Sequence, residues 1–565
     1  MKKLINDPRA VVREMVEGLV DLAPGQALLE GENVVLRAGL PPYEERREVA
    51  VLSGGGSGHE PAHAGYVGQG MLHAAVAGDV FTSPSVDAVL AAIRAVAGPP
   101  GVLLIVKNYT GDRLNFGLAA ELARAEGIAV ETVVVADDVA LRDTVEPGRR
   151  RGIAGTVLVH KVAGAAAAAG LPLAEVAQEA RAVAAAIGTM GVALGPCTVP
   201  AAGRPGFDLG DDEIELGLGI HGERGVERTR IRRADELVDT ILEAILTDRA
   251  LGRGADAALL VNGLGGTPPM ELAIVARGAI ARLRERGLNV VRAWTGNLLT
   301  ALEMPGMSLT ILPVDAARLR RLDAPTTAPA WPGSGRISPA REIVPNPSAA
   351  PEPISPRAPS PNSETIKQSV LAAADALERA EPQLTELDAA AGDGDLGTSM
   401  TRAAGAIRAL PEAVWSSPPD AVLTAMANVL RRAMGGTSGP LYAAALLRAA
   451  QTLPASPTAT DWSAGLAAAV DAIGELGGAK SGDRTMIDAL HPAAAAFAAG
   501  LAAGRSAAGA WAAAVSAAEE GAAATARMYP RLGRASYLGE RAVGTPDAGA
   551  MAVAIWMKAI RPLPQ

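Results

Sequence analysis

Two textures of hydrophobic patterning divide the chain. In the first part, short apolar runs rich in β-branched residues alternate with segments of helical spacing: Val49 to Leu52, Val102 to Val106, Val130 to Val135, Ala258 to Val261, Asn289 to Ala293 and Leu309 to Val314. Several of these runs end in a Gly-rich or polar loop followed by a helix, which predicts α/β layering. In the last part such runs vanish. There Ile366, Val370, Leu377, Leu384 and Leu387 recur at helical spacing, and Ala-rich segments from Ala421 to Ala450 and from Met486 to Ala526 continue it. That pattern predicts an all-α domain with Gly-rich loops between helices. Between the two, residues 323–363 hold 11 prolines and almost no hydrophobic periodicity, which predicts a stiff polyproline linker. The expected organisation is an α/β domain over residues 1–322, the linker over 323–363 and an all-α domain over 364–565. Within the first domain, the Gly-rich and acidic stretch from Gly195 to Gly225 predicts a break between two subdomains near residues 190–200.

Composition adds exclusions. At 565 residues, and with roughly 150 residues per domain, the chain is too long for a peptide hormone, a toxin or a lone DNA-binding module. Hydrophobic residues at 49% against 20% charged argue against wholesale disorder. Aromatic residues are scarce, 6 Trp, 6 Tyr and 4 Phe, so Ala and aliphatic side chains must fill much of the core. A net charge of −9 without a dense Lys/Arg run argues against nucleic acid as a partner. Cys197 is the one cysteine, so no intrachain disulfide is expected. Asp7, Pro8 and Arg9 fall where a signal peptide needs its apolar stretch, and the apolar run from Val162 to Ala174 is too short to span a bilayer. The expectation is a cytoplasmic protein with no membrane partner.

Candidate chemistry in the first domain begins at Ser53-Gly54-Gly55-Gly56-Ser57-Gly58-His59-Glu60-Pro61, read as a loop after a short strand whose glycines let backbone approach a ligand. It fits neither the Walker pattern nor a dinucleotide fingerprint. Lys107, Asn108 and Asp112 follow an apolar strand, where α/β proteins place ligand contacts, although taken alone a polar loop capping the next helix explains them better. His221 lies between Gly219 and Gly222 with Glu223 placed to orient it, and an accessible neutral imidazole is a nucleophile. Five of the six histidines, His59, His63, His73, His160 and His221, fall here, with no zinc-site spacing among them.

In the second domain, Asp388, Asp393 and Asp395 cluster at a predicted helix end and the turn after it, in a domain with one histidine and no cysteine. Hard oxygen donors of this kind suit Mg²⁺, and the twelfth position from Asp393, Ala404, excludes an EF-hand. Gly435-Gly436-Thr437-Ser438-Gly439 precedes a helix, where amides and hydroxyls receive phosphate oxygens. Further Gly-rich turns surround Gly477, Met486, Arg534, Asp547 and Gly549.

Ile5-Asn6-Asp7-Pro8, the run from Gly54 to His59, Asn108-Tyr109-Thr110-Gly111-Asp112 and Gly219-Ile220-His221-Gly222-Glu223 resemble the substrate-binding domain of dihydroxyacetone kinases, and the later motifs resemble the α-helical-barrel nucleotide domain of the same family. The resemblance implies a single-chain ATP-dependent kinase for dihydroxyacetone or a related small ketose. His221 would bond covalently to the ketone as a hemiaminal, with His59 and Asp112 aiding proton transfer and Gly56, Ser57, Gly58 and Lys107 contacting substrate. It further implies ATP and two Mg²⁺ ions, with Asp388, Asp393 and Asp395 as metal ligands and Gly397, Thr398, Ser399, Thr437, Ser438, Gly477, Met486, Arg534, Asp547 and Gly549 as nucleotide contacts. Some relatives act on erythrulose or another tetrose, and some cleave FAD to a cyclic flavin phosphate. Rival readings are a phosphotransferase-system version that recycles bound ADP and a ligand-sensing regulator. A homodimer is the expected assembly. Leu396 departs from the family, where His occupies this place in some relatives, so no side-chain nucleotide contact carries over there.

Overall fold

The computed structural model describes residues 2–41, 47–346 and 362–561. It divides into two compact units, Met1–Val344 and Pro345–Gln565.

The first unit contains strands β1 (Gln26–Leu28), β2 (Val34–Arg37), β3 (Ala50–Ser57), β4 (Ala74–Val80), β5 (Val102–Lys107), β6 (Val130–Val135), β7 (Gly188–Ala193), β8 (Glu213–Leu216), β9 (Glu227–Arg230), β10 (Asp256–Gly263), β11 (Asn289–Gly296) and β12 (Gly306–Pro313). Its helices are α1 (Val11–Asp21), α2 (Val86–Val96), α3 (Thr110–Ala125), α4 (Thr156–Ala168), α5 (Leu173–Ala186), α6 (Ala234–Asp248), α7 (Pro269–Glu285) and α8 (Ala316–Asp323). Two six-stranded sheets form, in the orders β1-β2-β4-β3-β5-β6 and β11-β10-β12-β7-β8-β9. In the first, β4, β3, β5 and β6 run parallel, so their carboxyl ends share one edge. Helix α4 is buried almost all round, from Thr156 to Ala167, in keeping with a sequence that is apolar apart from Thr156, His160 and Lys161. Its Val157, Leu158 and Val162 share one core with Val133 of the first sheet and Leu260 and Leu312 of the second.

The structure moves three sequence-based boundaries. The second sheet starts at Gly188, directly after α5, so the subdomain change precedes the expected 190–200. The Gly195 to Gly225 stretch belongs to the second subdomain, because it supplies β8. The expected linker also begins too early. Beyond Asp323 the chain lies on the first unit: Thr327 N donates to Gln69 O at 3.0 Å, Ala330 N to Gly65 O at 2.9 Å and Ala293 N to Gly335 O at 2.8 Å. Trp331 anchors this segment, its ring 5.0 Å from that of Trp294 and beneath the Lys161 ammonium. Prolines set extended backbone here, and one tryptophan suffices to dock it. Residues 347–361 of the expected linker lie outside the described residues.

The second unit is helical throughout its described residues: α9 (Ser363–Arg379), α10 (Glu381–Ala391), α11 (Leu396–Arg408), α12 (Glu412–Trp415), α13 (Pro419–Ala433), α14 (Ser438–Thr452), α15 (Ala459–Gly477), α16 (Ile487–Ala502), α17 (Ala507–Ala524) and α18 (Ala548–Ala559). Alanines let the helices pack closely, as where Ala510, Ala514, Ala518 and Ala522 on α17 are fully buried. The helices enclose an apolar cavity of about 700 Å³, lined by Leu377, Met400, Leu446, Trp462, Phe497 and Trp511 among others.

Candidate functional site

The Gly-rich segment is not a loop. Gly54 to Ser57 continue β3, and a Cβ on Gly54 would lie 2.4 Å from Val76 O, while one on Gly56 would lie 2.6 Å from Thr82 N. The glycines therefore admit neighbouring chain, and a ligand meets the end of the strand. His59 follows directly, fully buried, its Nδ1 2.7 Å from Thr300 O. A carbonyl only accepts, so His59 carries its proton on Nδ1 and its Nε2 holds a lone pair. Burial, with the charge of Lys107 behind it, keeps His59 well below the usual histidine range.

His221 stands in the loop between β8 and β9, brought from the second sheet to within 3.1 Å of His59, Nε2 to Nε2. Glu223 Oε1 lies 2.9 Å from His221 Nδ1 and Glu223 Oε2 accepts from His221 N. Burial would raise the Glu223 carboxyl, but the hydrogen bond and charge of His221 outweigh it and bring its pKa down to about 2. An ionised acceptor holds a proton on Nδ1, so Nε2 is the nitrogen through which His221 can react once His59 Nε2 has taken the proton shared between them. Around these rings pack Phe81, stacked 5.1 Å from His59, and Tyr109, edge-on 4.6 Å from His221.

Lys107 ends β5, and Asp112 lies in the first turn of α3 with its Oδ1 accepting from Ser83 Oγ at 2.5 Å. A Cβ on Gly55 would sit 2.8 Å from Lys107 Nζ and 3.5 Å from Asp112 Oδ2, so both charged groups border the same strand position. The structure thus brings His59, His221, Lys107, Asp112 and the Gly56-Ser57-Gly58 backbone to one end of the first sheet, where open parallel sheets bind ligands. Ser57 Oγ itself is engaged with Gly78 O at 2.7 Å, leaving its backbone for a ligand. Phe81, Ser83 and Thr300 were not legible in the sequence; Tyr109 lay inside a quoted motif without a role.

In the second unit, Asp388 ends α10 and Asp393 and Asp395 fall in the turn before α11, with ligand oxygens all within 4.8 Å of one another. Three carboxylates without His or Cys fit Mg²⁺. Asp388 Oδ2 accepts from Leu396 N at 3.2 Å, which orients it toward the start of α11. The Leu396 side chain is buried in the hydrophobic core, so its backbone serves the cluster while the side chain packs. Arg534 ion-pairs with Asp393, placing a guanidinium beside the acids. Thr398 is exposed in the first turn of α11, where free amides attract phosphate. Gly397 packs against α10, where a Cβ would come within 2.1 Å of Thr385 Oγ1, and Ser399 is buried with its Oγ accepting from Arg402, so neither side presents a side chain to solvent. Asp547 caps α18 by accepting from Ala550 N at 2.8 Å; burial pushes its pKa up to about 6, with the charge of Arg484 opposing and that of Asp388 adding. A Cβ on Gly549 would lie 3.8 Å from that of Met486, so these two turns adjoin. Thr437 and Gly477 are exposed, and Ser438 half-buried, at the start of α14 and the end of α15.

Residues 17–330 match the Dak1 domain and residues 390–562 the DAK2 domain. The human triokinase/FMN cyclase is 45% identical over 575 residues, covering 99% of this chain and 98% of that protein. The D-erythrulose kinase of Mycolicibacterium smegmatis is 38% identical over 574 residues, with coverage of 99% and 98%. The crystal structure of the C. freundii dihydroxyacetone kinase in complex with AMP-PNP and Mg²⁺ covers 99% of both chains at 37% identity and a TM-score of 0.63. With both domains matched in order along one polypeptide, the chain belongs to the dihydroxyacetone kinase family.

Proposed function

We infer that the protein is an ATP-dependent kinase that transfers the γ-phosphoryl group to a hydroxyl of dihydroxyacetone or a closely related small ketose. The observation that carries this reading is the His221–Glu223 pair, which holds a proton on Nδ1 and leaves Nε2 of His221 as the nitrogen facing His59. His59 Nε2 takes the proton shared between the two Nε2 atoms, and the freed lone pair of His221 adds to the ketone carbon. The C=O electron pair moves to oxygen, and that oxygen takes the proton back from His59 to give the hemiaminal, with the Nδ1 proton held against Glu223. Glycerol has no electrophilic carbon, so it is rejected by chemistry where size discriminates weakly. Asp112 and His59, both buried at the same strand end, serve as bases for the attacking hydroxyl. Asp388, Asp393 and Asp395 would hold Mg²⁺, which when bound neutralises charge on the ATP phosphates. The turns carrying Thr398, Thr437, Ser438, Gly477, Met486, Arg534, Asp547 and Gly549 would contact the nucleotide, Gly397 and Ser399 through backbone.

A homodimer is supported by an apolar stripe on α3, where Leu114, Leu118 and Leu122 recur every fourth residue and are exposed, and by exposed Val134 on the edge strand β6. Among the described residues no helix is long and apolar enough to cross a membrane, and with a lone buried cysteine this supports the cytoplasm as location. The alternative is a tetrose kinase or an FAD-cleaving lyase on the same scaffold. The test is turnover of purified protein with Mg²⁺-ATP across C3 and C4 ketoses and aldoses, glycerol and FAD. Phosphorylation of ketoses but not glycerol, without a phosphoprotein partner, is expected; equal rates on glycerol would sink the hemiaminal reading.

A further inference from the structure

Behind the ketose site lies a buried polar chain of which only Lys107 is read as a substrate contact. Ser53 on β3, His63 after it, Lys107 at the end of β5 and His160 on α4 are each 5% exposed or less. Ser53 Oγ is 2.7 Å from Ile105 O, 3.1 Å from His160 Nε2 and 3.4 Å from His63 Nδ1, and Lys107 Nζ is 2.9 Å from His63 Nε2.

Proton counting leaves one assignment. Ile105 O can only accept, so the Ser53 hydroxyl spends its single proton there. Ser53 Oγ must then accept from both imidazoles, which puts protons on His160 Nε2 and His63 Nδ1. A neutral His63 protonated on Nδ1 has a bare Nε2, and the group facing that lone pair is the Lys107 ammonium. The electrostatics agree: burial and the charge of Lys107 hold His63 well below the usual histidine range, so it stays a neutral acceptor.

We propose that His63 is a positioning residue of the ketose site: locked as its Nδ1–H tautomer by Ser53, it accepts from Lys107 through Nε2, keeping that ammonium charged and aimed beside Gly55 and Asp112. His160 secures the lock by filling the other lone pair of Ser53. The inference rests on the reading of Lys107 as a substrate contact. An acceptor is needed because burial disfavours the lysine charge, with Asp112 from α3 and Glu60 after β3 opposing that effect. His59 is the remaining titratable group close by, and its depressed pKa keeps it neutral. Without the Nε2 acceptor the lysine loses a stabilising bond to its charged form, deprotonates at lower pH and is held less firmly.

The test compares His63→Leu, His63→Gln, Ser53→Ala and Lys107→Met as full-length enzymes, measuring dihydroxyacetone KM and the pH profile of kcat/KM at saturating Mg²⁺-ATP. A Gln amide reaches the place of Nε2 and offers an acceptor oxygen, whereas Leu offers none. His63→Leu is expected to raise the ketose KM by about tenfold or more, the scale of one hydrogen bond to a charged group. Its alkaline limb should move to lower pH, with His63→Gln restoring most of both and Ser53→Ala giving a smaller shift in the same direction. If His63→Leu does not fold, Ser53→Ala and His63→Gln carry the same comparison. A raised KM in Lys107→Met with an unchanged KM and alkaline limb in the His63 and Ser53 variants overturns the proposal, as does equal loss in the Leu and Gln variants. An unchanged ketose KM in Lys107→Met instead overturns the role of the lysine itself.

Discussion

At the scale of single residues, the site works by fixing which nitrogen carries a proton. Glu223 does this for His221, and its own ionisation down to a pKa of about 2 means the arrangement persists through the physiological range. Replacing Glu223 by Ala should let the imidazole swap tautomers and turn its ring. Gentle, non-acidic intact-protein mass spectrometry should then show loss of the ketose adduct, and kcat/KM should fall by about a hundredfold or more, the direction seen when a catalytic histidine loses its tautomer-setting carboxylate. Adduct at the wild-type level would remove Glu223 from this role. His160 offers a prediction about stability. Burial first, then the charge of Lys107, lowers its pKa to about 3, and its Nδ1 has no hydrogen-bond partner among the described residues. The folded protein therefore keeps this ring neutral while the unfolded chain binds a proton below about pH 6.5. Stability is lost as pH falls through that value and continues to fall until the folded pKa is reached. His160→Gln keeps a donor near Ser53 and lacks the titration. Between pH 7 and pH 5 the wild type should lose about 2 kcal/mol more unfolding free energy than the variant, from roughly 1.4 kcal/mol per pKa unit; parallel denaturant curves at both pH values would contradict this.

At the scale of elements, the turns proposed to contact the nucleotide are tied together from beneath. Arg484 is 1% exposed and has a φ of +64°, a left-handed conformation unusual for a residue with a side chain. Its Nη2 donates to Ala542 O at 2.9 Å and Thr545 O at 2.8 Å, joining the turn before α16 to the turn before α18. Asp488 secures the first turn by accepting from Gly482 N and Thr485 N at 2.5 and 2.8 Å. Arg484→Met should free Asp547 and Gly549 from Met486 and raise the KM for Mg²⁺-ATP by about tenfold, the cost of lost bonds from a charged donor, while the ketose KM holds. An unchanged nucleotide KM would show that the turns keep their register without it. Nothing in the sequence separates this buried arginine from a solvated one, because composition reports charge and not burial. The same limit explains which strands were legible. Runs such as Val130 to Val135 are β-branched throughout, whereas β4 is Ala74–Val80 with Ala and Gly inside, β7 begins Gly188-Thr189 and β9 is Glu227–Arg230, charged and exposed. Those strands are held by their neighbours in the sheet, which local propensity does not register. The acid cluster and the His221–Glu223 pair were legible because their members are close in sequence; the His59–His221 meeting, 162 residues apart, was visible only through family resemblance.

At the scale of the molecule, the proposed reaction draws on groups from both units: His221, His59 and Asp112 from Met1–Val344, and the three aspartates from Pro345–Gln565. The chain between Val344 and the start of α9 at Ser363 is 18 residues long, which spans at most about 65 Å when fully extended. That is shorter than the 41-residue tether suggested by proline content, since the docked segment anchored by Trp331 belongs to the first unit. It is still longer than the diameter of a small domain, about 30 Å, so chain length alone allows a nucleotide unit to serve either its own ketose unit or that of a partner chain. If the protein is a homodimer that works across subunits, a His221→Ala chain and an Asp393→Ala chain, each inactive alone, should regain activity when co-expressed and purified as a hetero-dimer. One of the two pairings in such a dimer joins an intact His221 to an intact Asp393, so up to half the wild-type kcat is expected, with the ketose KM unchanged. Hetero-dimers isolated through two different affinity tags that remain inactive would confine transfer to ketose and nucleotide units of the same chain.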